Sequence, residues 1–74
     1  MKNIKMIEVD SSTIRSIGYD NDTKVLYVCF VYGNSTYAYF NVEVDIVKRL
    51  LDSNSKGKFL SKNFKGVYRY ERIR

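Results

Sequence analysis

From Val25 to Val42 the chain is mostly apolar, broken by Gly33-Asn34-Ser35-Thr36 and by Asn41. The segments KVLYVCFVY (24–32) and STYAYFNV (35–42) are rich in β-branched and aromatic residues and predict two strands. Gly33-Asn34 between them predicts a two-residue hairpin turn in which Gly takes a positive φ. Tyr32 then faces Ser35. Leu26, Val28, Phe30, Tyr37 and Tyr39 share one face of the hairpin. Val25, Tyr27, Cys29, Val31, Ala38, Phe40 and Val42 share the other. Both faces are apolar, whereas an antiparallel sheet commonly shows water a polar one, so both need cover.

The flanking segments have different periods. TIRSIGYD (13–20) predicts a shorter strand closed by the turn residues Asp20-Asn21-Asp22. EVDIVKRLLDS (43–53) predicts a helix, with Val44, Val47, Leu50 and Leu51 at helical spacing. Glu43 and Asp45 in its first turn and Lys48 and Arg49 near its end suit the helix dipole. A short helical turn around Lys58–Lys65 follows, with Phe59, Leu60 and Phe64 inward and Gly66 as its stop. VYRYERI (67–73) closes the chain as a strand. The expected fold is α+β: one domain over residues 1–74, with a small, mainly antiparallel sheet in the order β-β-β-α-(short α)-β.

A chain of 74 residues buries only about 60% of the surface that its unfolded form exposes. Its stability margin is therefore thin, and small domains often add a staple. Cys29 is the single cysteine and there is no histidine, so neither an intrachain disulfide nor a usual zinc set is available. Self-association remains, and a homo-oligomer is expected. No apolar run has the length of a membrane span, and the N-terminus lacks the pattern of a signal peptide. A cytoplasmic protein with no membrane partner is expected.

The charge is unevenly spread. Residues 1–45 carry a net −2 and residues 46–74 a net +7, within a total of +5. The last twenty residues alone hold Lys56, Lys58, Lys62, Lys65, Arg69, Arg72 and Arg74 against one acid, Glu71. A basic half of this kind suits a phosphate-bearing partner or an acidic surface.

Spacing and order from Ser11 to Tyr70 resemble those of a known small family. Ser11-Ser12-x-Ile14, Ile17-Gly18-Tyr19-Asp20, Leu26-x-Val28-x-Phe30 with Gly33, Tyr37-x-Tyr39 with Asn41-Val42, Ser55-x-Gly57-x-Phe59 and Tyr68-x-Tyr70 resemble the KTSC domain. That domain occurs alone in bacteria and phages and at the C-terminus of some lysyl-tRNA synthetases. The resemblance implies the fold more firmly than the function, for which it suggests RNA binding. The chain departs from the family in having Glu43 where proline is usual after Asn-Val. It also departs in placing Tyr27, Cys29 and Val31 where polar residues usually alternate. Those extra apolar residues call for another chain, a ligand, a terminus or the second helical turn over that sheet face.

Candidate chemistry lies mostly in the second half. Tyr37 and Tyr39, two apart on one face, read either as a stacking platform for bases or as core packed on Val28 and Phe30, with core the commoner role in small sheets. Tyr68 and Tyr70 share their expected strand face with Arg72 and Arg74, an arrangement that can hold a base and its phosphate; core tyrosines with a frayed tail is the rival reading. Lys56, Lys58, Lys62 and Lys65 surround an expected helix start, where exposed amides and lysines can hold phosphate; otherwise they form a solvated face. SKGKF lacks the first glycine and the Ser/Thr of a phosphate loop, which excludes a nucleotide-hydrolysing loop. Ser11 and Ser12 have no base within reach on paper and read as hydrogen-bonding groups at the start of a strand. Cys29 reads as a buried, inert thiol.

These readings describe a non-catalytic binding module for a phosphate-bearing ligand, with RNA favoured by the resemblance. Lys56, Lys58, Lys62, Lys65, Arg69 and Arg72 are the expected phosphate contacts, and Tyr19, Tyr37, Tyr68 and Tyr70 the expected stacking or hydroxyl contacts. No cofactor is implied, and no general base or metal set can be assembled for an enzyme. Two alternatives stand beside it. One is a homo-oligomer that sequesters a small nucleotide such as a cyclic dinucleotide. The other is a protein-interaction or inhibitor module that uses Tyr27, Cys29 and Val31.

Overall fold

A computed structural model describes residues 4–74; Lys2, which contributes to the net charge of residues 1–45, lies outside them. Five strands follow one another in a single sheet: β1 (Ile7–Glu8), β2 (Ile14–Asp20), β3 (Val25–Phe30), β4 (Thr36–Tyr39) and β5 (Tyr70–Arg72). Each is antiparallel to the next. Between β4 and β5 the chain forms two helices, α1 (Val44–Asp52) and α2 (Lys56–Asn63). The α+β architecture and the element order follow the hydrophobic pattern. A two-residue β1 precedes them that the pattern did not indicate.

The hairpin register differs from the expected one. Leu26 faces Tyr39 and Val28 faces Tyr37. A two-residue turn would have set Leu26 against Asn41. Val31 already has helical backbone angles, and Tyr32–Asn34 form a single 3-10 turn with Gly33 at φ 70°. β3 therefore stops at Phe30, whose amide donates to the Ser35 carbonyl at 2.8 Å. The slip is two residues, and an even slip leaves every side chain on its expected face.

Val42 is the exception. Asn41 has φ 58° and ends the alternation. The Val42 amide donates to the Lys24 carbonyl, and its side chain turns into the core instead of the opposite face.

Both helices pack on one face of the sheet. Val47 and Leu50 of α1 and Leu60 of α2, with Phe64 just beyond it, join Ile14, Ile17, Leu26, Val28 and Val42 in one core. Each such side chain contributes about 1.5–3 kcal/mol on burial. The buried stripe of α1 is Ile46, Val47 and Leu50; Val44 and Leu51, expected on it, are exposed. α2 begins at Lys56, two residues before the expected turn, and gives way to a tail in which Val67 and Tyr68 amides both donate to Phe64 O. Gly66, at φ 77°, makes that reversal possible. The turn consumes Val67 and Tyr68, so β5 is shorter than expected and Tyr68 lies outside it.

The opposite sheet face is only partly covered. Ile4 and Met6 lie over Gly18, where an added Cβ would meet the Met6 sulfur at 2.5 Å and Ile4 Cγ2 at 2.8 Å. The rest, around Tyr27, Cys29, Phe40 and Ile73, forms an open groove of about 870 Å³. Cys29 is half-buried in this groove, not enclosed as the sequence suggested.

Candidate functional site

The helix-side face of β3–β4–β5 carries a row of rings. Register sets Tyr37 beside Val28 on one side and Arg72 on the other, and sets Tyr39 against Tyr70. Phe30 meets Tyr37 edge-on, with centroids 5.6 Å apart and planes at 87°. Tyr70 lies between Tyr37 and Tyr39, at 5.7 and 5.8 Å, with tilts of 41° and 40°. Tyr39 then meets Phe64 edge-on at 5.2 Å, which ties the row to the core. β5 is an edge strand, and Tyr70 stays 59% exposed there.

Helix α2 forms the facing wall. Gly57 and Ser61 lie four residues apart on one stripe of α2, and Lys65 follows in the turn beyond the helix. All three line a cleft of about 440 Å³ against Tyr37, Tyr39 and Tyr70. Ser61 is short, and Lys65 brings a cation to the lining. At Gly57 the helix lies close to the residue before β2: an added Cβ would stand 2.9 Å from the Thr13 hydroxyl oxygen. Thr13 is held by a local turn in which Ser11 Oγ accepts the amides of Thr13 and Ile14, both at 3.2 Å. That is the role at the start of a strand expected for Ser11.

The structure brings together Tyr37, Tyr70 and Lys65 among the residues singled out from sequence. Arg72 joins them on the same sheet face, its Nε donating to the Arg74 carbonyl at 3.1 Å. Lys58 and Lys62 are exposed and lie on the helix flank next to the cleft stripe. The remaining candidates lie elsewhere. Lys56 sits on the far flank and donates to Ser53 O at 3.1 Å. Tyr68 packs its ring on Phe64 at 4.7 Å. Arg69 falls on the opposite sheet face, where its carbonyl accepts the Phe40 amide.

Tyr19 is at the other end of the sheet, its hydroxyl donating to the Val42 carbonyl. Burial holds its hydroxyl above the ordinary pKa of 10.0, and the negative charge of Glu43 pushes it further the same way. Glu43 also pairs with Lys24 at 2.9 Å. Asp20 and Asp45 add to this acidic end. The molecule is thus polarised, with acids around the β2–β3 turn and the start of α1 and cations around α2 and β5.

Tyr39 also titrates above 10.0, first because it is buried and then because Tyr37 and Tyr70 are close. It remains a neutral hydroxyl at ordinary pH. No carboxylate lines this cleft. The open groove on the opposite face differs, since Glu71 lines it together with Arg15 and Arg74. Among the described residues no group of three His, Cys, Asp or Glu could hold a metal ion. No helix among them is long and apolar enough to cross a membrane. Ser61 and Tyr32 line the cleft without having been singled out; the four-residue spacing from Gly57 to Ser61 to Lys65 was the available signal.

Three comparisons bear on this chain. An uncharacterized protein of Stutzerimonas stutzeri is 38% identical over 71 residues, covering 95% of this chain and 99% of that protein. A lysine–tRNA ligase of Trichormus variabilis is 31% identical over 68 residues, covering 92% of this chain but 12% of the ligase. The crystal structure of a KTSC domain protein from Yersinia pestis superposes with a TM-score of 0.90 at 32% identity, covering 97% of this chain and all of that one. The family model of the KTSC domain matches residues 10–70, and the chain belongs to the KTSC domain family.

Proposed function

We propose that this domain is a non-catalytic binding module for a phosphate-bearing ligand, with RNA the preferred one. The observation that carries the reading is the cleft in which Tyr37 and Tyr70 face Lys65 with no acid among the lining residues. Aromatic rings accept bases by stacking, and flanking cations hold the phosphates between them. Lys58, Lys62 and Arg72 extend the positive surface on either side. The likeness of this domain to a segment of a lysine–tRNA ligase is consistent with an RNA partner.

The test is fluorescence anisotropy of labelled RNA oligomers of increasing length, read across a salt series. With phosphates held by Lys58, Lys62, Lys65 and Arg72, log K against log salt has a slope of about −3 for a single strand. Affinity rises with length until the cleft and its flanks are filled. A slope near zero, or binding that survives replacement of these four cations by Gln, overturns the reading.

The size of the cleft favours one second reading: a homo-oligomeric binder that sequesters a small nucleotide. It predicts a fixed number of mono- or dinucleotides per oligomer and no gain from longer RNA. Light scattering with and without a nucleotide panel separates the two.

A further inference from the structure

We infer that the cleft between β4–β5 and α2 is a subsite for one unpaired nucleobase, so that the domain selects single-stranded over duplex RNA. This rests on the reading above and adds the form of the ligand. Three observations carry it.

The first is the arrangement of the rings. No pair in the row from Phe30 to Tyr39 is parallel; the interplanar angles are 87°, 41° and 40°. The rings therefore do not use up one another's faces by stacking, and Tyr70 is more than half exposed. A flat partner can lie on it without unpacking the core.

The second is the wall. Ser61 is a short side chain on the wall, Gly57 lets α2 sit close to Thr13, and the cleft keeps about 440 Å³. That is room for one nucleotide. Bases in an A-form duplex present only their edges in the grooves, whereas unpaired bases can be splayed onto aromatic rings. The third is the charge. Lys65 in the cleft lining and Arg72, the cross-strand neighbour of Tyr37 on the same sheet face, are placed to hold the phosphates on either side of an inserted base.

The open groove on the other sheet face is the rival surface. It is larger but carries Glu71 beside its arginines, and Ile4 and Met6 occupy one end of it. It is therefore a weaker site for a polyanion.

The experiment uses the full chain with a fluorescein-labelled eight-nucleotide RNA, alone and annealed to its complement. Tyr70→Leu and Lys65→Gln are the variants, both at exposed positions, with circular dichroism to confirm folding. The single strand is expected to bind at least ten-fold tighter than the duplex. Tyr70→Leu weakens the single strand by about ten-fold, within the range for one lost stacking contact, and leaves the duplex unchanged. Adenosine monophosphate shifts the Tyr70 ring protons in NMR and competes with the single strand. Equal affinity for both forms, or a Tyr70→Leu variant that binds like the parent while Lys65→Gln weakens both, overturns the base subsite and leaves the phosphate-binding reading standing. Binding of the monophosphate without any RNA binding supports the subsite and overturns the RNA preference. Binding of neither overturns both.

Discussion

Tyr39 on β4 stands edge-on to Phe64, just past α2, at 5.2 Å with their planes at 78°. The two are 25 residues apart in sequence, and through them the cleft is joined to the core. Phe64 is 1% exposed and also meets Phe59 and Tyr68. Its ring fixes both the seat of α2 and the chain that leads into β5.

Phe64→Ala should therefore remove about 3–5 kcal/mol, from the lost ring and the cavity left behind. A domain of this length has a total of roughly 4–11 kcal/mol, so the variant is expected to lose a third or more of its stability and to unfold at a much lower urea midpoint. Urea unfolding followed by circular dichroism checks this. Phe64→Leu keeps most of the volume and should lose less than half as much. A Phe64→Ala variant with a parent-like midpoint would mean that α2 is not held by this ring.

Tyr39 gives the fold an alkaline limit. Its hydroxyl titrates above 10.0 in the folded chain because it is buried and close to Tyr37 and Tyr70. Above about pH 10 the unfolded chain has lost this proton while the folded chain still holds it, so unfolding is favoured as pH rises. Stability is fully present below that point and declines through the folded pKa. Urea midpoints at about pH 8 and about pH 11 measure the decline. Tyr39→Phe should flatten it; an equally steep decline in Tyr39→Phe would assign it to Tyr19, whose hydroxyl is raised in the same direction.

Much of this architecture was legible in the sequence, and the failures have local causes. The β-branched and aromatic run of 24–42 and the period-3.6 pattern of 43–53 are long enough to set element type. The hairpin register was misjudged because Gly33-Asn34 suits a tight turn as well as a wider one, and only the helical backbone of Val31 shows which forms. The face of Val42 was misjudged because a left-handed Asn41 breaks alternation without any sequence mark stronger than Asn itself. β1 has two residues, too few for a pattern. At the candidate site, the pairing of β4 with β5 brings Tyr37 next to Arg72 across 35 positions, and no local rule reports such a pairing. Tyr19, Tyr68 and Tyr70 look alike in sequence; hydrogen bonding to Val42, packing on Phe64 and exposure on an edge strand separate them.

Gly18 tests how the N-terminal segment covers the outer sheet face. A Cβ there would meet the Met6 sulfur at 2.5 Å and Ile4 Cγ2 at 2.8 Å, both ends of side chains that can swing away, and the Lys5 carbonyl at 3.1 Å, which cannot do so as freely. Gly18→Ala should therefore lift residues 4–6 off the face at a cost of about 1–3 kcal/mol, without unfolding the sheet. Hydrogen exchange should rise at Ile7 and Glu8, whose pairing with β2 depends on that segment, and stay unchanged in β3. Faster exchange throughout would show that Gly18 supports the whole sheet instead.

Gly57 sets two effects of opposite sign against each other. In a helix, Gly→Ala gains up to about 1 kcal/mol of intrinsic propensity. Here the new Cβ would stand 2.9 Å from Thr13 Oγ1 and 3.1 Å from Thr13 Cβ, and Thr13 is anchored through its amide to Ser11. The clash falls on a Cβ as well as on a hydroxyl that could rotate, so crowding should win. Gly57→Ala is expected to lose about 1 kcal/mol net and to push α2 away from the start of β2. Because Gly57 and Ser61 share one stripe of α2 and Lys65 follows the helix, that push also displaces the cleft wall, and RNA affinity should fall several-fold even where the variant remains folded. Thr13→Ala removes the hydroxyl and methyl groups that Gly57→Ala meets. The double variant should recover part of the stability, the Thr13 Cβ remaining, with a coupling above about 0.5 kcal/mol in a double-mutant cycle. A Gly57→Ala chain more stable than the parent, with RNA affinity unchanged, would show that the space between α2 and β2 is slack and that Gly57 does not set the width of the cleft.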